Sequence, residues 1–455
     1  MHNLYDKNML ASKELFIKYL LSGCKEEKYF ETGLEFEKIP VSSDDFRAAS
    51  YYGENGIREF LISLKQKFGW DYICEEDNPI GLDTPFGSIT LEPGSQVELS
   101  SIPQKTVHDL KKVTTHYNTI TAEIAEIYGI NFLGYGIQPI TTNLDIKIIP
   151  KARYDIMTEY LPTKANLPFV MMRETAGIQT VLDYSSEQDC IEKLRTILML
   201  TPFVTAMFAN SPIRNGADTG YKSYRAYAWL HTDEDRCGLI SRKIFDNKGK
   251  DFSFSEYADI IFNLPMIFLH KGGKWHNMKG RSFNDYMTTG INSFEVTMDD
   301  LMLHLSSFFP DVRLKHYLEI RNNDCQTLDY LYAIPALWKG IIYSAEARAS
   351  IDNLFEGLTF EDFNYLRANV PKDGLQTEIK GRKVEDYAKE IISIAELSLN
   401  KMNNRDEDNN SEAIYLQNIK ELVHNGMCPA DVILKNWYGN WNKDVSKLIN
   451  YTKIN

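Results

Sequence analysis

Three stretches far apart in the chain share one alternation, which constrains the fold more than any other feature. In TGLEFEK, Glu35 and Glu37 stand two residues apart with Leu34 and Phe36 interleaved. In ITLEPGSQVELSS (89–101), Glu92, Gln96 and Glu98 fall on one side, with Ile89, Leu91, Val97 and Leu99 on the other. In KHYLEIRNND, Glu319 and Arg321 alternate with Leu318 and Ile320. Side chains along a strand point alternately to opposite faces, so each stretch predicts a strand with one acidic and one apolar face. Singly, each fits an ordinary half-exposed strand with solvated glutamates. As a set, they equally fit strands whose apolar faces meet helices and whose acids meet in a cleft. Pro93-Gly94 then reads as a bulge that re-aims Glu92 relative to Glu98.

Acids gathered in a cleft repel one another by about 1 kcal/mol per pair at 4 Å even in bulk water, so such a cluster needs cations. Oxygen ligands without clustered Cys or His indicate Mg²⁺ or Mn²⁺, with Mg²⁺ bridging one or two carboxylates to substrate phosphates. The chain carries no G-x-x-x-x-G-K-[ST], no strand-borne G-x-G-x-x-G and no protein-kinase set. A nucleotide would therefore be held by carboxylate-bound metal and arginines rather than by a glycine loop.

The formal net charge of −13 argues against a nucleic-acid partner, which calls for a basic face. A hydrophobic content of 43% suffices for a sizeable core. The six cysteines (Cys24, Cys74, Cys190, Cys237, Cys325 and Cys428) show no paired spacing, which fits a reducing compartment and neither a disulfide framework nor a zinc site. The first residues lack a basic segment followed by a long apolar run, and no window approaches a membrane span. The expectation is a soluble, cytoplasmic protein without a membrane partner, monomeric or homodimeric.

Helical and strand patterns alternate without a βαβ rhythm, which predicts an α+β fold. Helices are expected over 12–22, over 55–70 with Ile57, Phe60, Leu61 and Leu64 on one face, and after Ser185 or Ser186, where Glu187 and Asp189 suit the first turn. Pro202 predicts a kink or a second helix in that last run. The Asn- and Asp-rich stretch near 400–412 reads as a flexible polar connection between helices near 384–401 and 411–425. The expected organisation is a catalytic body (1–400), a connection (401–411) and a helical tail packed on the body (412–455).

GSITLEPGSQVELSS resembles the E-P-G-G-Q-x-E-L-S-G signature of the plant and proteobacterial type of glutamate–cysteine ligases. TGLEFEK is similar to that family's I-G-x-E-x-E-K strand, and ARYDIMTEYLP (152–162) to its G-R-Y-x-I-M-x-x-Y-x-P segment. IQTVLDYSSEQDCIEKLR resembles V-Q-V-N-L-D-F-S-S-E-x-D-M-I-x-K-x-R. TAMFANSP, GYKSYRAYAWLHTDEDRCG, FPDVRLKHYLEIR, AIPALWKGIIY and GMCPADVILKNWYGNW follow in family order, so the likeness covers nearly the whole chain.

The resemblance implies a curved, mainly antiparallel sheet forming a funnel-like active site backed by helices, related to glutamine synthetase. It implies ATP-dependent joining of the γ-carboxylate of glutamate to the amine of cysteine through a γ-glutamyl phosphate, the first step of glutathione biosynthesis. Glu35, Glu37, Glu92, Glu98 and Glu319 would bind two or three Mg²⁺ (or Mn²⁺), with Gln179 in the same lining. Arg321 would face the transferring phosphate, with Glu319 beside it in the catalytic set. Arg225 and Arg236 would hold substrate carboxylates and phosphate oxygens. The chain departs from the pattern at Val181, Ser95, Ser101 and Asn322-Asn323, which bears on the amine acceptor more than on activation. The alternatives are the same chemistry with another amine, or a catalytically silent binding protein on this scaffold. His231, His316, Cys237, Trp229 and Trp338 read as structural.

Overall fold

The computed structural model describes residues 8–291 and 294–454; the first seven residues, part of the segment read above as lacking a basic leader, lie outside them. The architecture is built around β1 (Thr32–Ser42), which carries the first acid pair. Its first half lies between β5 (Val97–Ser101) and β7 (Gly177–Leu182), and its second half pairs with β6 (Ile130–Leu133). Outward from β5 come β4 (Gly87–Leu91), β3 (Asn78–Thr84) and β2 (Asp71–Glu75). Beyond β7 lie β9 (Leu318–Asp324) and then β8 (Val312–Leu314). Every neighbouring pair in this nine-stranded open sheet is antiparallel.

The three alternating stretches are thus neighbouring strands of one sheet. Their apolar residues Leu34, Phe36, Ile89, Leu91, Val97, Leu99, Leu318 and Ile320 are all buried. Helices α3 (Val107–Ile127), α6 (Glu187–Met207) and α8 (Ala333–Ile342) cover that face. Lys38 is the one charge in β1's covered row. Its ammonium donates to Thr121 Oγ1 at 2.9 Å and lies over the rings of Tyr117 and Phe132, and burial drives its pKa well down.

Two local expectations need correction. Pro93-Gly94 does not interrupt a strand; it lies in the connection (92–96) of the β4–β5 hairpin. Ser95 N–H donates to Glu92 O at 2.9 Å, Glu92 N–H donates to Gln96 O at 3.0 Å, and Ser95 takes the left-handed backbone at φ 71°. This is the bulged hairpin turn in which glycine usually holds the left-handed place. Of the two outcomes expected at Pro202, the second helix does not occur, because α6 runs from Glu187 to Met207 with the proline inside it. Proline cannot donate to the carbonyl four residues back, but Thr201 Oγ1 donates to that carbonyl, Leu198 O, at 3.0 Å. The start of α6 follows expectation, with Ser186 capping it and Glu187 and Asp189 in its first turn.

Helix α1 (Lys13–Leu21), helix α2 (Ile57–Phe68) and helix α9 (Val384–Met402) also stand where the periodicity places them. After α9, Asp406 closes a turn by accepting from the Asp408 and Asn410 N–H groups, and Glu412 begins the last segment. The chain then returns to the main sheet, where Ile454 N–H donates to Phe132 O at 3.0 Å beside β6. No helix among the described residues is long and apolar enough to cross a membrane.

Candidate active site

The uncovered side of the sheet lines a cavity of about 240 Å³. Glu35 and Glu37 reach it from β1, Glu92 and Glu98 from the β4–β5 hairpin, Gln179 from β7 and Arg321 from β9. Register explains the gathering: Glu37 stands opposite Glu98, and Glu35 stands opposite Gln179 on the other neighbour. Like charges directly across a ladder repel, and the carboxyls register it. Burial first, then the charges of Glu35, Glu92 and Glu37, push Glu98 well above the usual carboxylate range. Burial and Glu319 raise Glu35. Burial and Glu92 raise Glu37 to about 7, against the pull of Arg225 and the Gly177 N–H. Thr90 and Ser100 hydroxyls hold Glu98 at 3.2 and 3.1 Å. Gln96 braces the turn, accepting from Gly94 N–H at 2.8 Å and donating to Thr175 O at 2.8 Å.

Two of the expected site residues lie outside the cavity lining. Glu319 is fully buried and its carboxylate is spent on cations: Arg313 grips both oxygens, Lys315 stands at 2.7 Å, and Arg321 pairs with it as well. Burial opposes its ionisation, yet these three cations together hold it well below the ordinary range. It lies outside the cavity lining, and its carboxylate meets Arg313, Lys315 and Arg321. The second is Arg236, which is buried away from the cavity, paired with Asp233 and donating to Ser307 O and Pro265 O at 2.9 Å each. It ties a loop to two distant segments and does not line the cavity.

Arg225 and Arg321 remain. Arg321 donates to Gln179 Oε1 at 2.7 Å, which aims it across β7 toward the acids. Arg225 is 4% exposed on α7 (Tyr224–Leu230) and donates to Arg321 O at 3.1 Å. It packs on Gly177, where a Cβ would stand 2.3 Å from its Nη2. Its Nε and the Trp229 Nε1 have no hydrogen-bond partner among the described residues. The two residues are four apart on one face of α7, and both line the cavity.

Arg153, Arg313, Tyr154, Met171 and Met172 also line it without having been singled out, and so does Trp229, which the sequence alone marks as structural. Arg153 falls inside ARYDIMTEYLP and Arg313 inside FPDVRLKHYLEIR, so the family-like segments alone offered a signal for both. Val181 lies outside the lining, and Asn322 turns away to Thr201 O and Thr205 Oγ1 on α6. His316 accepts or donates at Tyr19 OH, and burial lowers it to about 4; the Cys237 thiol is pushed up to about 12 by burial. Neither is poised for catalysis.

Among the described residues, no three acidic, histidine or cysteine side chains stand close enough to form a ready-made ion site. The four cavity acids nevertheless fit a hard cation. Their mutual repulsion is relieved by positive charge, and a spread donor set suits Mg²⁺, which takes one or two carboxylates and completes its shell with phosphate and water.

Residues 31–449 match glutamate–cysteine ligase family 2 (GCS2). The chain belongs to that family. Glutamate–cysteine ligase B, chloroplastic, of Oryza sativa subsp. japonica is 37% identical over 438 residues, covering 95% of this chain and 86% of the relative. The chloroplastic glutamate–cysteine ligase of Nicotiana tabacum is 36% identical over 438 residues, with 95% and 81% covered. The Arabidopsis thaliana chloroplastic enzyme is 35% identical, again with 95% and 81% covered. These names overturn the cytoplasmic expectation, which scattered cysteines and an unremarkable start could not support. In fold, the chain is similar to glutamate–cysteine ligase from Francisella tularensis in complex with AMP, at a TM-score of 0.55 and 12% identity, covering 92% of this chain and 88% of that one. The α+β, mainly antiparallel architecture is thereby borne out.

Proposed function

We propose that this protein joins the γ-carboxylate of L-glutamate to the amine of L-cysteine, converting ATP to ADP and phosphate through a γ-glutamyl phosphate. The observation that carries the reading is the family match across residues 31–449, in a chain whose sheet gathers four carboxylates opposite Arg225 and Arg321. Glu35, Glu37, Glu92 and Glu98 would hold Mg²⁺, which supplies charge neutralisation for the ATP β- and γ-phosphates.

The glutamate γ-carboxylate oxygen attacks the γ-phosphorus in line and ADP leaves. Arg321, fixed by Gln179 and Glu319, donates to the equatorial oxygens as charge spreads onto them. Arg225 Nε and Trp229 Nε1 are unspent donors, and a guanidinium suits a planar carboxylate, so they would take the α-carboxylate of glutamate. The amine then attacks the acyl carbon, loses a proton and expels phosphate. No protein nucleophile is needed, which agrees with neutral Cys237 and His316.

The test incubates the protein with ATP, Mg²⁺ and glutamate and measures ADP release with and without each amino acid. Glutamate-dependent stimulation by cysteine is expected, and Glu92→Ala should lower kcat/KM by at least about 100-fold. Stimulation by a different amine would keep the activation step and change the product. No ADP release in any mixture would overturn the reading.

A further inference from the structure

Asp324 lies at the end of β9, just past a register shift between Ile320 and Asn323, and is 2% exposed. It does not line the cavity that holds the acids, yet both its oxygens are committed. Oδ2 accepts from Asn210 N–H at 2.8 Å and from Ser211 Oγ at 2.7 Å; Oδ1 accepts from Ser223 Oγ at 2.8 Å. Each serine passes the constraint on. Ser211 Oγ accepts from Arg225 N–H at 3.1 Å, and Ser223 Oγ caps α7 by accepting from Ala226 N–H at 3.0 Å. The hydroxyl protons can satisfy the carboxylate only if the oxygen lone pairs face the helix, so the order of donors is fixed.

Helix α7 is seven residues long, too short to hold its own direction in water. Its free second and third N–H groups are the ones these serines take. The second belongs to Arg225 itself. A carboxylate behind the helix start also favours the helix dipole and faces the Arg225 charge. Close packing leaves no slack: a Cβ on Gly136 would stand 2.8 Å from Asp324 Cγ.

We infer that Asp324, acting through Ser211 and Ser223, is the positioning residue that sets the first turn of α7 and thereby aims the Arg225 guanidinium and the Trp229 indole at one substrate carboxylate. This rests on the reading of Arg225 and Trp229 as the glutamate clamp. Asp324 neither touches substrate nor moves a proton. Its effect should therefore fall on the affinity for glutamate and leave ATP handling alone.

The experiment compares wild type, Asp324→Asn, Ser211→Ala, Ser223→Ala and Arg225→Ala, and Asp324→Asn in the Arg225→Ala background. Steady-state ADP release with glutamate, cysteine and MgATP is measured, alongside calorimetric binding of L-glutamate and thermal midpoints. Asp324→Asn should raise the glutamate KM about tenfold or more, with kcat and the ATP KM within roughly threefold. Each serine variant should raise it less, and Asp324→Asn should change it by under about threefold once Arg225 is already gone.

A fallen thermal midpoint with an unchanged glutamate KM would overturn the inference. So would an equal rise in both backgrounds. If Asp324→Asn does not fold, the two serine variants decide by the same criteria. Should the wild type release no ADP, the ligase reading fails separately; glutamate binding by calorimetry then decides, and wild type that binds no glutamate overturns the inference too.

Discussion

Glu37 shows how the cavity tunes a single carboxyl. Burial and Glu92 raise it to about 7, while Arg225 and the Gly177 N–H limit the rise. In the unfolded chain a glutamate titrates near about 4.3. Between those values the folded protein keeps a proton that the unfolded chain releases. The stabilisation is complete below the unfolded value and is lost as pH rises through about 7, on the order of 3 kcal/mol for this group in metal-free protein. Mg²⁺ reverses the balance, because a ligating carboxylate must be ionised. The expected outcome is a thermal midpoint in chelator that falls between about pH 5 and about pH 8, with Mg²⁺ restoring more at the higher pH. Glu37→Gln should make both dependences shallower, leaving the part that Glu35 and Glu98 contribute. A midpoint that rises over this range in the metal-free wild type would refute the assignment.

At the scale of elements, the β4–β5 hairpin shows what sequence patterns carry and what they omit. Period-two alternation identified the strands around Glu35, Glu98 and Glu319, because a strand has no other way to separate acids from leucines. Ser186 and Glu187 marked the start of α6, since caps act within one turn. The connection is not legible from Pro93-Gly94, because Ser95, which any sequence pattern passes over, bears the unusual backbone. No second helix starts at Pro202, because the Leu198 carbonyl it leaves without a donor is taken by the hydroxyl of its neighbour Thr201. Arginine roles resisted longer, because a guanidinium's partners lie far along the chain: Arg236 meets Ser307 and Pro265, and Arg313 meets Glu319 only once the β8–β9 hairpin forms. The Ser95 strain is testable. Its Oγ is buried without a partner among the described residues, and its φ is 71°. Ser95→Gly should therefore stabilise the protein by about 1 kcal/mol in a urea titration. The glutamate and ATP KM values should stay unchanged. A loss of stability would show that the serine hydroxyl is satisfied in solution.

For the whole molecule, the question is whether the last segment is a separate tail or part of the catalytic body. Glu412 opens that segment and is fully buried. Its Oε1 accepts from Lys339 Nζ at 2.7 Å and from Val107 N–H at 2.6 Å, and its Oε2 accepts from Asn404 Nδ2 at 2.8 Å. One carboxylate therefore joins the start of α3, the middle of α8 and the connection after α9. The far end of the same segment meets the sheet, with Gly134 N–H donating to Thr452 O at 2.8 Å. Both helices that Glu412 links cover the apolar face behind the acids, so loosening it should be felt across the sheet. Glu412→Gln leaves the Lys339 ammonium buried without its counter-ion, which costs about 3–5 kcal/mol when one partner of a buried pair is removed. We expect one cooperative unfolding transition in the wild type and one, shifted down by that amount, in Glu412→Gln, with tryptophan fluorescence and circular dichroism coinciding in both. Two transitions, with the lower one alone moved by the substitution, would mean that residues 1–400 fold without the segment that follows. The acids on β1 would then owe nothing to Glu412, and their Mg²⁺ and glutamate affinities would survive its loss.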